Sequence, residues 1–208
     1  MKTVRTLAVM SLLTSFTVLS QESQNVWAFE CGSTFNSQTS FESLVQMFGA
    51  NNVVEAELHE DEGSYELGTL IFPGSQNEVE VFWQDPLTRQ SLRKVRISGS
   101  LSSWKARNGL ELGLELKLIE SLNRKPFRLA GFGFDYSGTV TSWEGGSLEQ
   151  TGERQCRLVV RLGADFSKVP LERIIEHGNV LGDRVFSSRH PTMQLLNPTV
   201  RQLALFIE

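Results

Sequence analysis

Cys31 and Cys156 are the only two cysteines in this chain of 208 residues, and together they set the strongest constraint on its fold. A metal site or a redox pair needs further thiols nearby or a CxxC spacing, and the sequence has neither. In an oxidising compartment the two thiols are expected to form one disulfide. That bond would close a loop of roughly 125 residues, for which the chain-entropy model gives about 4–5 kcal/mol of stabilisation.

The N-terminal segment indicates such a compartment. Lys2 and Arg5 precede an apolar stretch at 7–19, and cleavage sites fit after Ser20 or, second, after Ala28. This is the layout of a secretory signal peptide, and the stretch is too short for a membrane span. No later window reaches the roughly 18 apolar residues of a membrane helix. We therefore expect an exported protein, periplasmic or secreted, with no transmembrane segment after signal removal.

Charge argues against one class of partner. The whole chain has 20 basic and 24 acidic residues, a net charge of −4. The signal segment carries two basic residues and no acidic ones, so the mature chain has 20 − 2 = 18 basic residues and a net charge of 18 − 24 = −6. A protein that binds nucleic acid by neutralising phosphates needs a basic excess. We therefore predict no nucleic-acid partner.

Two amphipathic patterns predict helices. At 39–48 apolar residues recur at i, i+3, i+4 and i+7 from Phe41, with Thr39 as N-cap and Glu42 at the capping-box position. A second helix is predicted at about 114–122, with an apolar stripe of Leu118, Ile119 and Leu122. A third is predicted at 170–177.

Period-two alternation predicts the strands. The runs 52–58, 65–72 and 78–83, joined by short turns, are typical of an antiparallel meander with one wet face. Further strands are predicted at 95–97, 127–136, 139–143, 157–162 and 200–207. The fold class is therefore α+β, with short helices packed on antiparallel sheet.

An internal repeat is predicted from the two longer helices, because overlaying them places Val45 on Ile119 and Phe48 on Leu122. Each half is then predicted to consist of a helix, a tight turn and antiparallel strands. The two halves together are expected to form one compact domain. The predicted segments are the signal peptide (1–20), a flexible lead (21–38), a first α+β unit (39–105) and a second α+β unit with a C-terminal extension (109–208).

One motif carries a family resemblance. Gly113, Ile119 and Pro126 have the spacing at which, in small exported SmpA-like and beta-lactamase-inhibitory-protein-like domains, a glycine opens a short helix and a proline starts the sheet. The chain resembles these domains over 109–148. It departs from them in carrying Asn123 near their usual glycine, in having no lipidated cysteine and in having only one cysteine pair. The resemblance implies an α+β fold and a partner-binding role, and it transfers no active site.

Two surface patches are candidates for partner binding. The first is an aromatic face, since exposed aromatic residues often anchor interfaces; an aromatic face packed on a helix is the structural alternative. Its residues are Trp83, Phe132, Phe134, Asp135, Tyr136 and Trp143. The second is an acidic hairpin tip formed by His59, Glu60, Asp61 and Glu62. A solvated turn, a contact for a basic partner and a cation site all fit this tip, although it lacks the ligand spacing of an EF-hand.

No catalytic, metal or cofactor motif was found. GxSxG, HExxH and SxxK are all absent from the sequence. The function predicted is that of an exported non-enzymatic protein that binds another macromolecule, such as an extracytoplasmic protein, as an inhibitor or envelope accessory. Two alternatives stay open: a wall-acting hydrolase that uses Asp135 with a glutamate, and a carrier of a small apolar ligand.

Overall fold

The computed structural model describes residues 26–32, 34–60, 63–149 and 156–208. The predicted signal segment, together with Asp61 and Glu62, lies outside the described residues. Within these ranges the chain forms a six-stranded antiparallel sheet, a three-stranded sheet, a two-stranded parallel pair and four short α-helices. The α+β class predicted from the sequence is therefore confirmed.

The elements alternate along the chain. The helices are α1 (Phe41–Phe48), α2 (Leu116–Asn123), α3 (Leu171–His177) and α4 (Pro191–Leu196). The strands are β1 (Trp27–Ala28), β2 (Val53–His59), β3 (Tyr65–Ile71), β4 (Val79–Asp85), β5 (Gln90–Ser98), β6 (Trp104–Lys105), β7 (Arg128–Ala130), β8 (Val140–Ser142), β9 (Cys156–Gly163), β10 (Val185–Ser187) and β11 (Thr199–Ile207). The large sheet has the order β2-β3-β4-β5-β11-β9, and the small sheet has the order β10-β7-β8. The predicted meander is confirmed as β2 to β4, with β5 as its fourth strand.

The core lies on one face of the large sheet. Apolar side chains of β4, β5, β9 and β11 share one cluster with the buried side chains of α1 and α2. Complete burial of each such side chain stabilises the fold by about 1.5–3 kcal/mol. The buried sheet residues include Val81, Trp83, Val95, Ile97, Val160, Leu203 and Leu205. We call the opposite face of this sheet the outer face.

The lead predicted to be flexible at 21–38 is packed where it is described. Trp27 pairs in register with Trp104, and their rings lie 5.4 Å apart. Phe29 and Phe35 are buried against the same Trp104 ring. The predicted disulfide is confirmed, because Cys31 is bonded to a cysteine at the start of β9, with 6.4 Å between the two Cα atoms. Aromatic packing and a covalent bond thus hold the described part of this segment in place.

Both longer helices differ in detail from their predictions. Helix α1 begins after Ser40, whose side chain and that of Ser43 form the capping box predicted for Thr39 and Glu42. The Thr39 hydroxyl instead donates to a backbone carbonyl. In α2 the buried side chains include Leu116 and Ile119, whereas the predicted stripe residues Leu118 and Leu122 are exposed. The N–H of Leu116 donates to the carbonyl of Pro198, and this contact with the segment before β11 sets which side of α2 faces inward.

The strand predicted at 127–136 ends early, at Ala130. A Cβ atom at Gly131 would lie 2.4 Å from the carbonyl oxygen of Gly182, so the chain runs against that backbone. The N–H of Phe132 donates to Val180, and residues 133–138 then turn. In the second half of the chain, β7 and β8 form a three-stranded sheet with β10, while β9 and β11 join β2 to β5 in one broad sheet.

The end of the β2–β3 hairpin bends over the outer face. Strand β3 pairs with β2 along seven residues but with β4 only at 69–71. Divergence begins at Gly68, where a Cβ atom would lie 2.7 Å from the carbonyl oxygen of Val81. The bend brings His59 close enough for its carbonyl to accept a hydrogen bond from Arg96 on β5. Leu58 and Phe82 are buried beneath this fold-over, outside the main core.

Candidate functional site

A β-bulge in β5 concentrates positive charge on the outer face. Phe82 pairs with Lys94 and Trp83 pairs with Leu92, which leaves Arg93 as an extra residue in β5. A bulge redirects side chains that would otherwise alternate. Arg93 and Lys94 both contact the same carboxylate on the outer face, while Leu92 stays in the core.

Aromatic rings and cations then alternate across four neighbouring strands. In register, Phe82 on β4 lies beside Lys94 on β5, then Phe206 on β11, then Arg157 on β9. The Lys94 Nζ is 3.8 Å from the centre of the Phe82 ring and 5.7 Å from that of Phe206. The Arg157 Cζ is 4.8 Å from the centre of the Phe206 ring. Each such cation–π contact is worth about 0.5–2 kcal/mol, so the row is held in a defined geometry.

Three carboxylates balance part of this charge. The Glu60 carboxylate accepts hydrogen bonds from Lys94 and from Arg93, the latter at 3.1 Å. Glu66 also pairs with Arg93. The Arg96 guanidinium donates two hydrogen bonds to Glu80, at 2.6 and 2.9 Å. Such bidentate pairs are among the stronger charged contacts in proteins.

Burial affects the pKa values of both groups in the Glu60–Lys94 pair. Lys94 is only 3% exposed, and burial lowers its pKa, although Glu60 opposes that shift. Burial by itself would raise the pKa of Glu60, but the hydrogen bonds and charges of Lys94 and Arg93 outweigh it and lower that pKa below 4.5. The hydrogen bond and charge of each partner thus favour the charged form of the other and oppose the effect of burial.

Two adjoining cavities lie on the outer face, and together we call them the groove. The smaller, of about 210 Å³, is lined by Lys94, Arg96, Tyr136, Thr139, Arg157, Val159, Arg161, Gln202, Ala204 and Phe206. The larger, of about 530 Å³, is lined by His59, Gly63, Glu78, Glu80, Arg96, Ser98, Asp135, Arg161 and Gln202. They share Arg96, Arg161 and Gln202. The groove thus runs between His59 and Gly63 of the bent hairpin and the turn at 133–138.

The structure brings together parts of the two predicted patches. His59 from the hairpin tip and Asp135 from the aromatic segment line the same larger cavity. Tyr136, which is 47% exposed, lines the smaller one, where the Arg161 Cζ lies 6.0 Å from its ring centre. These residues are far apart in the sequence, and the bend at Gly68 makes them neighbours of one groove.

Two predicted binding residues are core residues instead. Trp83 is 1% exposed, and its indole N–H donates to the Thr69 hydroxyl at 3.0 Å. Phe132 is buried edge-on against Phe166. Strand alternation correctly placed Trp83 with Val81, but on the face that packs against the helices. These two rings are therefore inaccessible to a partner.

The other predicted residues that the structure describes are half-buried or engaged in contacts within the protein. Phe134 is half-buried in the turn at 133–138, and its backbone carbonyl accepts a hydrogen bond from the N–H of Ser137. Trp143 is half-buried with its ring 5.3 Å from Phe127. Glu60 is engaged within the protein, so it does not serve as a free acidic contact. In the described ranges no three His, Cys, Asp or Glu side chains are grouped to hold a metal ion.

Sequence reasoning missed the basic residues of the groove. Lys94 and Arg96 alternate with Val95 and Ile97 in β5, and Arg157 and Arg161 stand four residues apart in β9, an even spacing that also places them on one face. This alternation was a usable signal that basic side chains share one face of each strand. That the two strands lie on either side of β11 depends on long-range pairing.

Comparison with known proteins adds no family to this description. No protein-family model, curated protein or solved structure matches the chain. None of the helices in the described part of the chain has the length and apolarity of a membrane span. Any functional conclusion therefore depends on the geometry of the groove.

Proposed function

We propose that this chain is an exported, non-enzymatic protein that binds another macromolecule through the groove on its outer face. The observation that carries the proposal is that Phe206 and Arg157, at the accessible end of the row, line one cavity together with Tyr136. Tyrosine and arginine are enriched at the centres of protein interfaces. An open groove with such residues suits a chain segment of a partner.

Export is supported by two features. The Cys31–Cys156 bond belongs to an oxidising environment, and the N-terminal segment has the layout of a signal peptide. Cleavage after Ser20 is favoured over cleavage after Ala28, because the second site would remove Trp27 from its contacts with Phe48, Phe72 and Trp104. N-terminal sequencing of the exported protein should then begin at Gln21; a chain that begins at Phe29 would contradict this choice.

The partner-binding role is also the one implied by the resemblance at 109–148. Gly113 has φ of 84°, and a Cβ atom there would lie 2.6 Å from the Ser100 carbonyl oxygen. The glycine of the motif is thus required at the entry to α2. This packing supports the motif as a structural element of the proposed binding protein, while the groove supplies the candidate binding residues.

Paired variants test the proposed function. Tyr136→Ala with Arg157→Glu alters the groove, whereas Tyr65→Ala with Arg189→Glu makes the same changes at exposed residues that line neither cavity. Oxidised protein of each form would be used for quantitative capture from envelope and culture extracts, followed by cross-linking of the captured partner. We expect the groove variant to lose the partner and the control to keep it. Equal capture by both would refute the groove as the binding surface.

A hydrolase is the second candidate, and one observation favours it: Asp135 lines the same cavity as Glu78 and Glu80. Glycoside hydrolysis uses such a pair of carboxyl groups. Asp135→Asn separates the two candidates, since a hydrolase would lose turnover of wall polymers while a binding protein would keep its partner. Turnover by wild-type protein that Asp135→Asn abolishes would favour the hydrolase.

A further inference from the structure

From the smaller cavity of the groove we infer a binding site for an oxyanion group, a phosphate or a carboxylate. The inference rests on the proposed function only for the source of that group, which would be carried by the macromolecular partner. Four cationic side chains line the cavity, namely Lys94, Arg96, Arg157 and Arg161. Its lining contains no carboxylate among the described residues.

The acidic partners of two of these cations lie away from the cavity. Glu60 and Glu80, which pair with Lys94 and Arg96, belong to the β2–β4 side of the sheet and do not line the smaller cavity. They hold the two cations in place while leaving the cavity wall itself positive. Arg157 forms no ion pair with a carboxylate in the described part of the chain and lies over the Phe206 ring. Its guanidinium is thereby oriented at the cavity with donors for an anion.

Space for the anion comes from one small side chain. Ala204 stands in register between Arg96 on β5 and Val159 on β9. A larger residue at this position would fill the gap between the two neighbouring strands' side chains. The cavity of about 210 Å³ admits a single anionic group rather than a drug-sized ligand, for which pockets of about 300–1,000 Å³ are typical.

The neutral lining adds hydrogen-bonding groups. The Tyr136 and Thr139 hydroxyls and the Gln202 amide line the same cavity, and Arg161 Nε donates to Thr139 at 3.3 Å. Oxyanions accept hydrogen bonds from all of these donor types. The site therefore combines positive charge, neutral donors and an aromatic wall, a composition suited to an anionic group attached to a less polar segment.

The two tyrosines of the chain provide a direct measurement. Tyr136 lines the cavity, while Tyr65 is exposed and lines neither cavity of the groove. Oxidised protein labelled with 3-fluorotyrosine would be titrated with inorganic phosphate and, separately, with acetate, at constant ionic strength set with chloride. We expect a saturable shift of the Tyr136 signal by at least one of the anions and no saturable shift of Tyr65.

Matched variants show whether the shift reports the cavity. Arg157→Gln should weaken anion binding by about tenfold or more, the effect of one lost charged hydrogen bond. Arg189→Gln, an equal charge change at an exposed residue outside the groove, should leave it unchanged. Ala204→Met should block binding while keeping every charge. The inference is overturned if Tyr136 shows no saturable shift, if both tyrosines shift alike, or if Arg157→Gln binds as the wild type does.

Failure of this inference differs from failure of the proposed function. If the anions do not bind but the groove variant still loses its macromolecular partner, only the oxyanion site is wrong. If the anions bind and capture is unaffected by the groove variant, only the macromolecular role is wrong. Stronger binding of phosphate than of acetate would assign the group to a phosphate, and the reverse would assign it to a carboxylate.

Discussion

The Glu60 carboxylate contacts the Lys94 ammonium across two intervening strands, although the residues stand 34 positions apart in the sequence. Glu60 follows β2 and Lys94 lies on β5, so the contact exists only because the hairpin bends over the outer face. This pair joins the hairpin tip to the cationic wall of the groove. Its loss would affect both stability and the shape of the site.

Replacing Glu60 should leave a buried charge without its partner. Glu60→Gln is expected to lower the free energy of unfolding by about 3 kcal/mol at neutral pH, because Lys94 is almost fully buried. Urea denaturation followed by tryptophan fluorescence measures the change. Glu57→Gln, on the exposed side of β2, serves as the control and should change stability by less than about 0.5 kcal/mol. Equal effects of the two variants would show that the pair does not stabilise the fold.

The same pair predicts an acid-sensitive stability. The pKa of Glu60 is lowered in the folded state, so its contribution is complete above its ordinary value of 4.5 and is lost as the pH falls through the lower folded value. Wild-type protein should therefore lose stability below about pH 4.5 more steeply than Glu60→Gln. Denaturation curves of both proteins between pH 3 and pH 7 give the difference, in which the shared effects of other carboxyl groups cancel. Parallel curves would contradict the assignment.

Gly68 should tolerate no side chain. A Cβ atom there would lie 2.3 Å from Leu58 Cδ1 and 2.7 Å from the Val81 carbonyl oxygen. Gly68→Ala is expected to lower the free energy of unfolding by about 1–3 kcal/mol and to displace the hairpin tip from the groove. Leu67→Ala, at the exposed neighbouring residue, should have little effect. A variant Gly68→Ala as stable as the wild type would mean that the bend does not depend on this close approach.

Asn123 should be the most sensitive polar residue of α2. Its buried side-chain amide donates to the carbonyls of Lys125 and Trp143, and its oxygen accepts from the N–H of Leu148. Asn123→Ala would leave three backbone groups without these partners, and we expect a loss of about 3 kcal/mol. The exposed Asn51→Ala is the matched control. Thermal denaturation of the two variants compares them directly, and similar melting temperatures would refute the role of the amide.

The disulfide should stabilise the fold mainly by lowering the conformational entropy of the unfolded chain. The double variant Cys31→Ser with Cys156→Ser opens a closed loop of 125 residues and should lose about 4 kcal/mol of stability. Aromatic packing of Phe29 and Phe35 against Trp104 should keep the N-terminal segment in place at low temperature. Denaturation curves measure the loss, and near-ultraviolet circular dichroism checks the packing. A double variant as stable as the oxidised wild type would contradict the prediction.

Local patterns predicted most of the elements of this fold. Alternation along 52–58 and 65–72 corresponds closely to β2 and β3, and the stripe from Phe41 corresponds to α1. Predictions failed where a distant segment decides the local conformation. The chain after Ala130 turns because it packs on the backbone at Val180 and Gly182, and no pattern near Ala130 contains that information.

In the candidate site, local sequence patterns identified some of the groove residues but also selected two residues of the core. His59, Asp135 and Tyr136 were predicted as binding residues and line the groove, whereas Trp83 and Phe132 were predicted with them and are buried. Alternation alone separates the two faces of a strand but does not say which face meets the helices. The sequence pattern therefore does not distinguish an exposed aromatic residue from a core aromatic residue; the packing of the sheet against the helices does.

The amino-acid sequence by itself determined the α+β class and the meander, because both follow from local periodicity. It also determined the pairing of the cysteines, because a chain with only two cysteines can form only one internal disulfide. Only the tertiary structure decided where the charges meet. Lys94, Phe206 and Arg157 become neighbours through the register of β5, β11 and β9. Glu60 reaches Lys94 through the bend at Gly68. Strand register and close backbone approach are long-range properties, so the groove is created by packing rather than by any single segment.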